Sequence, residues 1–156
     1  DGARRTRLRD RSGTKAMMIS AIACMAVAVY FEARGEPLIG RAAVAHVIFN
    51  RVIDDRYPND VCDVIQQGKL GDNTTKIKLN ECQFSFFCDG KSDNPTDVQA
   101  YMEAVELSQL VFNTSFYDPT EGATHYHSVK VSPDWALQMT KVVQINDHIF
   151  YRWEID

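Results

Sequence analysis

The segment AMMISAIACMAVAVYF, residues 16–31, decides the fold, because only Ser20 interrupts its apolar character. A helix that is apolar on every face lies in the middle of a domain rather than at its surface. The run is also shorter than the roughly twenty apolar residues that a membrane-spanning helix needs. We therefore predict a buried central helix against which the rest of the chain packs.

Glu32 is the first charged residue after this run. Gly35 is suited to end the helix in a left-handed conformation, and Pro37 suits the first turn of a second helix. A carboxylate that a buried helix delivers to a cleft is partly desolvated, which raises its pKa toward the working pH. Glu32 is therefore predicted to be a general acid. The competing interpretation is a helix-end charge that pairs with Arg34 or Arg51.

Four blocks of sequence follow one another along the chain: YFEARGEP (residues 30–37) continuing into GRAAVAHVIFNRV (40–52), then CQFSF (82–86), GATHYH (122–127) and INDHIFY (145–151). Together they resemble the SleB-type cell wall hydrolases. The resemblance covers about residues 16–153, nearly the whole chain. Four ordered blocks at family-like spacing are far more specific than any one of them.

The resemblance implies a lysozyme-like α+β fold, mostly helical, with a buried central helix and a small antiparallel β-element. It also implies cleavage of the glycan strand of peptidoglycan, with Glu32 as the catalytic glutamate and with no cofactor or metal. In a lytic transglycosylase the C6 hydroxyl of muramic acid attacks its own anomeric carbon, which leaves a 1,6-anhydro end and requires no second carboxylate. A hydrolase would use water instead, and Glu36 would then be the helper. Glu36 is otherwise a charge at a helix N-terminus.

Residues 83–87 alternate polar and aromatic side chains, which is typical of an extended segment. Gln83 and Ser85 are candidates for hydrogen bonds to sugar hydroxyls, and Phe86 is a candidate stacking surface. The alternative is an ordinary half-buried strand.

His125, Tyr126, His127 and Tyr151 complete the candidate substrate-binding residues. His125 and His127 would share one face of a strand, and together with His148 they offer ligands for zinc. That alternative predicts a zinc amidase, which cleaves the bond between muramic acid and its peptide. A third hypothesis is a peptidoglycan-binding module without catalytic activity.

The composition is that of one globular domain, with 156 residues and a net charge of −4. An acidic balance argues against nucleic acid as a partner. Residues 1–14 hold one large apolar residue and read as a flexible basic tail, and residues 15–156 as a single catalytic domain. A basic segment before an apolar run also resembles a signal peptide, but cleavage there would separate Glu32 from its helix. We expect a monomer without membrane insertion that acts on glycan strands in the cell envelope, periplasmic or extracellular, or as a phage-encoded lysin.

The four cysteines are predicted to play different roles. Cys24 lies inside the apolar run and reads as a small buried hydrophobic residue. Cys62, Cys82 and Cys88 lie in or beside loop-like sequence, so one disulfide among them is plausible in an oxidising compartment.

The remaining elements are predicted from periodicity and turn signals. Thr96 and Gln99 form a capping-box pattern, and Asn146-Asp147 is a two-residue hairpin signal, although the family resemblance leads us to expect glycine first. We predict helices at 37–53, 60–67 and 96–112, a short helix around Trp135, a loop at 68–81, and strands at 123–128, 141–145 and 148–153.

Overall fold

A computed structural model describes residues 2–70 and 77–154, with side chains described for residues 18–68 and 82–154. In chain order the helices are α1 (Gly2–Ala33), α2 (Leu38–Ile53), α3 (Val61–Ile65) and α4 (Val98–Phe112), and the strands are β1 (Gly68–Leu70), β2 (Ile77–Cys82), β3 (His125–Ser128), β4 (Thr140–Ile145) and β5 (His148–Arg152). Two 3₁₀ helices lie at Ser85–Cys88 and Asp134–Gln138.

The helix α1 is the centre of the domain, as the apolar run predicted. Met25, Ala26, Ala28 and Val29 are fully buried, and α1 packs against α2, α3 and α4. The fold is therefore mostly helical and of the α+β class. Over the part of the chain that the structure describes, none of the helices has the length and apolar character needed to cross a bilayer.

The start of α1 lies within the residues predicted to be a basic tail, and that tail, like the domain at residues 15–156, stays a prediction. Its backbone is helical from Gly2 onward, through residues predicted to be a tail that ends at residue 14. Arginine is a good helix former. Once the buried half of α1 has formed, adding further residues to the helix costs little free energy.

The turn between α1 and α2 also differs in detail. Gly35 is not among the residues with positive φ, which include Gly90 and Gly122. Instead the backbone N–H of Glu36 donates to the carbonyl of Ala33 at 2.9 Å, and Pro37 precedes α2 with an extended backbone. A tight hydrogen-bonded turn therefore replaces the predicted left-handed glycine.

The three-stranded antiparallel sheet has the order β3-β5-β4. His125 pairs with Tyr151 and Tyr126 pairs with Phe150, so Tyr126 and Phe150 lie on one face of the sheet. The β4–β5 hairpin is confirmed at Asn146, whose φ of +48° is a conformation that asparagine tolerates better than most residues. Fully buried Phe150 anchors this sheet on α2.

Three predictions for the middle of the chain were wrong. Part of the predicted loop at 68–81 pairs as the antiparallel strands β1 and β2, and residues 71–76 lie outside the described residues. The predicted extended segment at 83–87 is largely a 3₁₀ helix, with the N–H of Phe87 donating to the carbonyl of Phe84 at 3.1 Å. The helix α4 is capped by Asp97, which accepts from the N–H of Ala100, and not by Thr96.

Two disulfides join all four cysteines, Cys24 to Cys62 and Cys82 to Cys88. The bond between Cys82 and Cys88 lies within the predicted set, whereas Cys24 was wrongly predicted to be unpaired. Cys24 faces α3, where Cys62 lies, so the first bond ties the central helix to its neighbour. The second closes a short loop, which explains why residues 83–87 are coiled rather than extended.

Candidate active site

Glu32 lies in the last turn of α1 and lines a cavity of about 210 Å³. The hydroxyl of Tyr126, on β3, donates a hydrogen bond to Oε2 of Glu32 at 2.9 Å. The other carboxyl oxygen, Oε1, is buried and has no hydrogen-bond partner among the described residues. Burial raises the pKa of Glu32 above 4.5, and the hydrogen bond from Tyr126 offsets part of that rise. A carboxyl in this environment is suited to hold a proton and give it up.

The cavity brings together several of the predicted site residues. Besides Glu32 it is lined by Gln83, Ser85, His125 and Tyr126, all predicted as substrate-binding, and by Arg51, Phe84 and Trp135, which were not. The lining thus offers hydrogen-bonding groups beside aromatic rings. Such a mixture is typical of a site that binds sugar hydroxyls and ring faces.

Arg51 is the main cavity residue that the sequence analysis did not assign to the site. Its side chain is only 5% exposed, and its Nε donates to the carbonyl of Thr124 at 2.7 Å. Burial lowers the pKa of Arg51. Neither Arg51 nor Arg34 forms an ion pair with Glu32 in the described part of the chain, and Arg34 instead donates to the hydroxyl of Tyr30. The predicted alternative of a paired helix-end Glu32 is therefore wrong.

His125 lies in the cavity as an uncharged side chain. Burial lowers its pKa to about 4, with the nearby positive charges of Arg51 and Arg56 adding to the effect. Its ring is 5.2 Å from that of Trp135, and its Nδ1 is 2.9 Å from the hydroxyl of Thr124. At neutral pH His125 is therefore a hydrogen-bonding group without charge.

Phe86 does not lie at the site. Its ring stacks on Phe31 at 5.2 Å between centroids, and the residue is only 7% exposed. The 3₁₀ helix turns Phe86 into the core, whereas an extended backbone would have kept it on the same face as Phe84, which lines the cavity. Trp135, and not Phe86, is among the aromatic residues that line the cavity.

His127 and Tyr151 lie next to the cavity of Glu32 rather than in it. Nε2 of His127 is 2.8 Å from the hydroxyl of Tyr151, and the two rings stack at 5.3 Å. Both residues line a neighbouring cavity of about 330 Å³. The ring of Trp135 lies 5.6 Å from His127 and 5.2 Å from His125, so an aromatic wall joins the two cavities.

Glu36 and His148 lie together at the hairpin. Glu36 accepts a hydrogen bond from the side-chain amide of Asn146 and is 3.6 Å from Nδ1 of His148. Glu36 is not among the residues that line the cavity of Glu32. The turn that separates α1 from α2 directs the two glutamates to different places, so Glu36 supports the hairpin.

The zinc site of the amidase alternative is not formed. His148 pairs with Ser128 in the β3–β5 register, which puts it on the face of Tyr126 and Phe150. Side chains alternate between faces along a strand, so His125 and His127 occupy the opposite face of the sheet. Three imidazoles on two faces cannot share one ion. Over the described residues no group of three metal-ligating side chains is close enough to hold one.

Comparison with known proteins identifies the family to which the chain belongs. The profile of a family described as Cell Wall Hydrolase matches residues 35–151, more than half of the chain. The chain belongs to this family. Glu32 lies at the end of α1, three residues before the matched range begins.

Curated relatives of the chain include two spore cortex-lytic enzymes. The chain is 32% identical over 133 residues to the spore cortex-lytic enzyme of Bacillus cereus, covering 83% of this chain and 43% of that protein. The spore cortex-lytic enzyme of Halalkalibacterium halodurans is also 32% identical, over 132 residues that make up 34% of it. The chain therefore spans less than half the length of these relatives.

Solved structures give a closer match in length. The catalytic domain of the germination-specific lytic transglycosylase SleB from Bacillus anthracis is 31% identical, with a TM-score of 0.63 over 85% of this chain and 93% of that domain. The catalytic domain of SleB from Bacillus cereus is 29% identical, with a TM-score of 0.56. The match to these catalytic domains confirms the predicted lysozyme-like α+β fold class.

Proposed function

We propose that this chain cleaves the glycan strand of peptidoglycan between N-acetylmuramic acid and N-acetylglucosamine, as a lytic transglycosylase. The observation that carries the proposal is Glu32, a carboxyl with a raised pKa in a cavity lined by sugar-binding groups. The relatives support it, since they are named as spore cortex-lytic enzymes and as a lytic transglycosylase. We place its action in the cell envelope and expect a monomer.

The first step is the transfer of a proton from Glu32 to the glycosidic oxygen. Tyr126 donates to Oε2, so the carboxyl proton belongs on Oε1, the oxygen without a partner among the described residues. The C–O bond then breaks with an oxocarbenium-like transition state on the muramic acid ring, and the N-acetylglucosamine oxygen leaves as a hydroxyl. Raised pKa keeps Glu32 protonated nearer to neutral pH, where the acid is needed.

In the second step the same glutamate acts as a base. The C6 hydroxyl of the muramic acid residue attacks the anomeric carbon, its proton passes to Glu32, and a 1,6-anhydro end is formed. The hydrogen bond from Tyr126 stabilises the carboxylate between the two steps. Among the described residues that line the cavity, Glu32 alone carries a carboxylate. This supports a mechanism with one glutamate over a hydrolase that needs a second carboxylate to activate water.

The deciding experiment is mass spectrometry of the muropeptides that the purified protein releases from sacculi. A transglycosylase releases fragments that are lighter by one water than hydrolysis products and carry no new reducing ends. Fragments with reducing ends would replace the transglycosylase by a hydrolase. Absence of any released fragment would refute glycan cleavage.

A further inference from the structure

We propose that Arg51 recognises the lactyl group of muramic acid, the substituent by which this sugar differs from N-acetylglucosamine. The ligand atom is a carbonyl or carboxylate oxygen of that group. The inference rests on the proposed function, because the lactyl group belongs to the glycan strand. It goes further by naming the residue that tells the two alternating sugars apart.

Arg51 is held rigidly in the cavity and keeps one hydrogen-bond donor without a partner among the described residues. Its guanidinium carbon lies 5.0 Å from the ring centroid of Tyr57 and 5.5 Å from that of Phe84. These rings and the hydrogen bond from Nε to Thr124 fix the plane of the group. Nη1 is nevertheless buried without a hydrogen-bond partner in the described chain. A buried unpaired donor is costly, and an acceptor on a bound ligand would satisfy it.

The positive charge of Arg51 also has no partner among the described residues. In the described part of the molecule no carboxylate lies within ion-pair distance of Arg51, whereas Arg41 and Arg56 each have one. Of the other titratable groups in the cavity, His125 is neutral, and Glu32 forms no ion pair with Arg51 in the described residues. A buried charge without a partner is unfavourable in the free protein. The cavity is therefore complementary to a ligand group that is negative or strongly polar.

The lactyl group is the part of the substrate that can distinguish its two sugars. Both sugars of the strand carry an acetamido group, so that group cannot distinguish them. The lactyl ether of muramic acid ends in a carboxyl, which is a carboxylate in a strand without peptides and an amide carbonyl where a peptide is attached. Arginine binds either oxygen through its planar donors. Recognition of this group places muramic acid, rather than N-acetylglucosamine, beside Glu32.

The test is an NMR titration of the wild-type protein with three sugars. N-acetylmuramic acid carries the free carboxylate, muramyl dipeptide carries the amide, and N-acetylglucosamine lacks the lactyl group. We expect at least one of the lactyl sugars to bind about tenfold or more tightly than N-acetylglucosamine, the range of a hydrogen bond to a charged group. The stronger of the two identifies the acceptor as the carboxylate or the amide carbonyl, and equal binding identifies the carbonyl oxygen they share.

Arg51→Gln should remove this preference, and Arg51→Lys should keep part of it. Arg41→Gln is the matched control, because Arg41 lies on the same helix and pairs with Glu103 outside the cavity. A purely structural role for Arg51 would weaken binding of all three sugars alike. Should Arg51→Gln fail to fold, the comparison of sugars on the wild-type protein still decides.

Equal binding of all three sugars to the wild type, or no binding of any, would overturn the inference. The outcome is separable from that of the proposed function through a parallel digest of sacculi. Wild-type protein that releases anhydro-muropeptides but shows no lactyl preference loses only the role of Arg51. Wild-type protein that releases nothing loses the proposed function itself.

Discussion

Replacing Glu32 by glutamine separates the catalytic role of this residue from its structural role. The amide has nearly the same shape and can still accept the hydrogen bond from Tyr126, but it has no acidic proton to give to the glycosidic oxygen. General acid catalysis is worth about a hundred- to ten-thousand-fold. We expect the rate of muropeptide release to fall by that factor while the fold is unchanged.

The same substitution should stabilise the protein at neutral pH. Burial raises the pKa of Glu32 in the folded state above its ordinary value of 4.5. A carboxyl with a raised folded pKa contributes stability that is present below the unfolded pKa and is lost as the pH rises through the folded pKa. The wild type therefore bears the cost of a buried carboxylate at high pH, and the glutamine variant does not. The stability difference should shrink as the pH falls toward 4.5.

Chemical denaturation at several pH values and digestion of sacculi measure the two effects on the same samples. Glu36→Gln is the matched control, because it removes a carboxylate four residues away that supports the hairpin. We expect it to keep a substantial part of the activity. A folded Glu32→Gln protein with more than a tenth of the wild-type rate would remove Glu32 from the role of general acid. A variant less stable than the wild type at every pH would contradict the argument from burial.

The other predictions concern the hydrogen bond at Glu32 and the two disulfides. Tyr126→Phe leaves Oε2 of Glu32 unpaired, so we expect the rate to fall about fivefold to a hundredfold, and the alkaline limb of the pH–rate profile to move to higher pH because that hydrogen bond lowers the pKa of Glu32. An unchanged profile in a folded variant would exclude the bond from the mechanism. With sequence separations of 38 and 6, loss of the Cys24–Cys62 bond should cost about 4 kcal/mol of unfolding free energy and loss of the Cys82–Cys88 bond about 2 kcal/mol. The measurement replaces each cysteine pair by serines and compares the free energies of unfolding by chemical denaturation. A larger loss for the Cys82–Cys88 pair than for the Cys24–Cys62 pair would contradict this prediction.

The parts of the fold that local sequence determines were predicted correctly. The apolar run forces a buried helix whatever surrounds it, because no face of it tolerates water. Asn146-Asp147 specifies a hairpin through its own backbone preferences, and the structure shows Asn146 at a φ of +48°. Glu32 was proposed as the general acid for a related reason, since its position at the end of the buried helix already implies partial desolvation.

Several failed predictions depended on contacts that the sequence pattern does not reveal. Cys24 read as a hydrophobic residue because nothing nearby reveals that Cys62 lies against it. The alternation of residues 83–87 was too short to outweigh the disulfide that coils the segment. Arg51 was considered only as an ion-pair partner for Glu32, yet a carbonyl 73 residues away and two aromatic rings bury it. The one sequence signal for Arg51 is its position within residues 40–52, a block that resembles the family.

The separation of Glu32 from Glu36 connects the fold to the proposed chemistry. Had α1 continued by one more turn, the two carboxyls would have been neighbours on one helix face, as residues four apart are. The tight turn after Ala33 ends the helix first, and Glu36, which lies in that turn before α2, is held by Asn146 beside His148. Glu32 is left in a cavity with an uncharged histidine and an unpaired arginine, an environment that favours a single glutamate alternating between acid and base. A nucleophile supplied by the substrate itself, its C6 hydroxyl, fits a cavity whose described lining offers no second carboxylate to activate water.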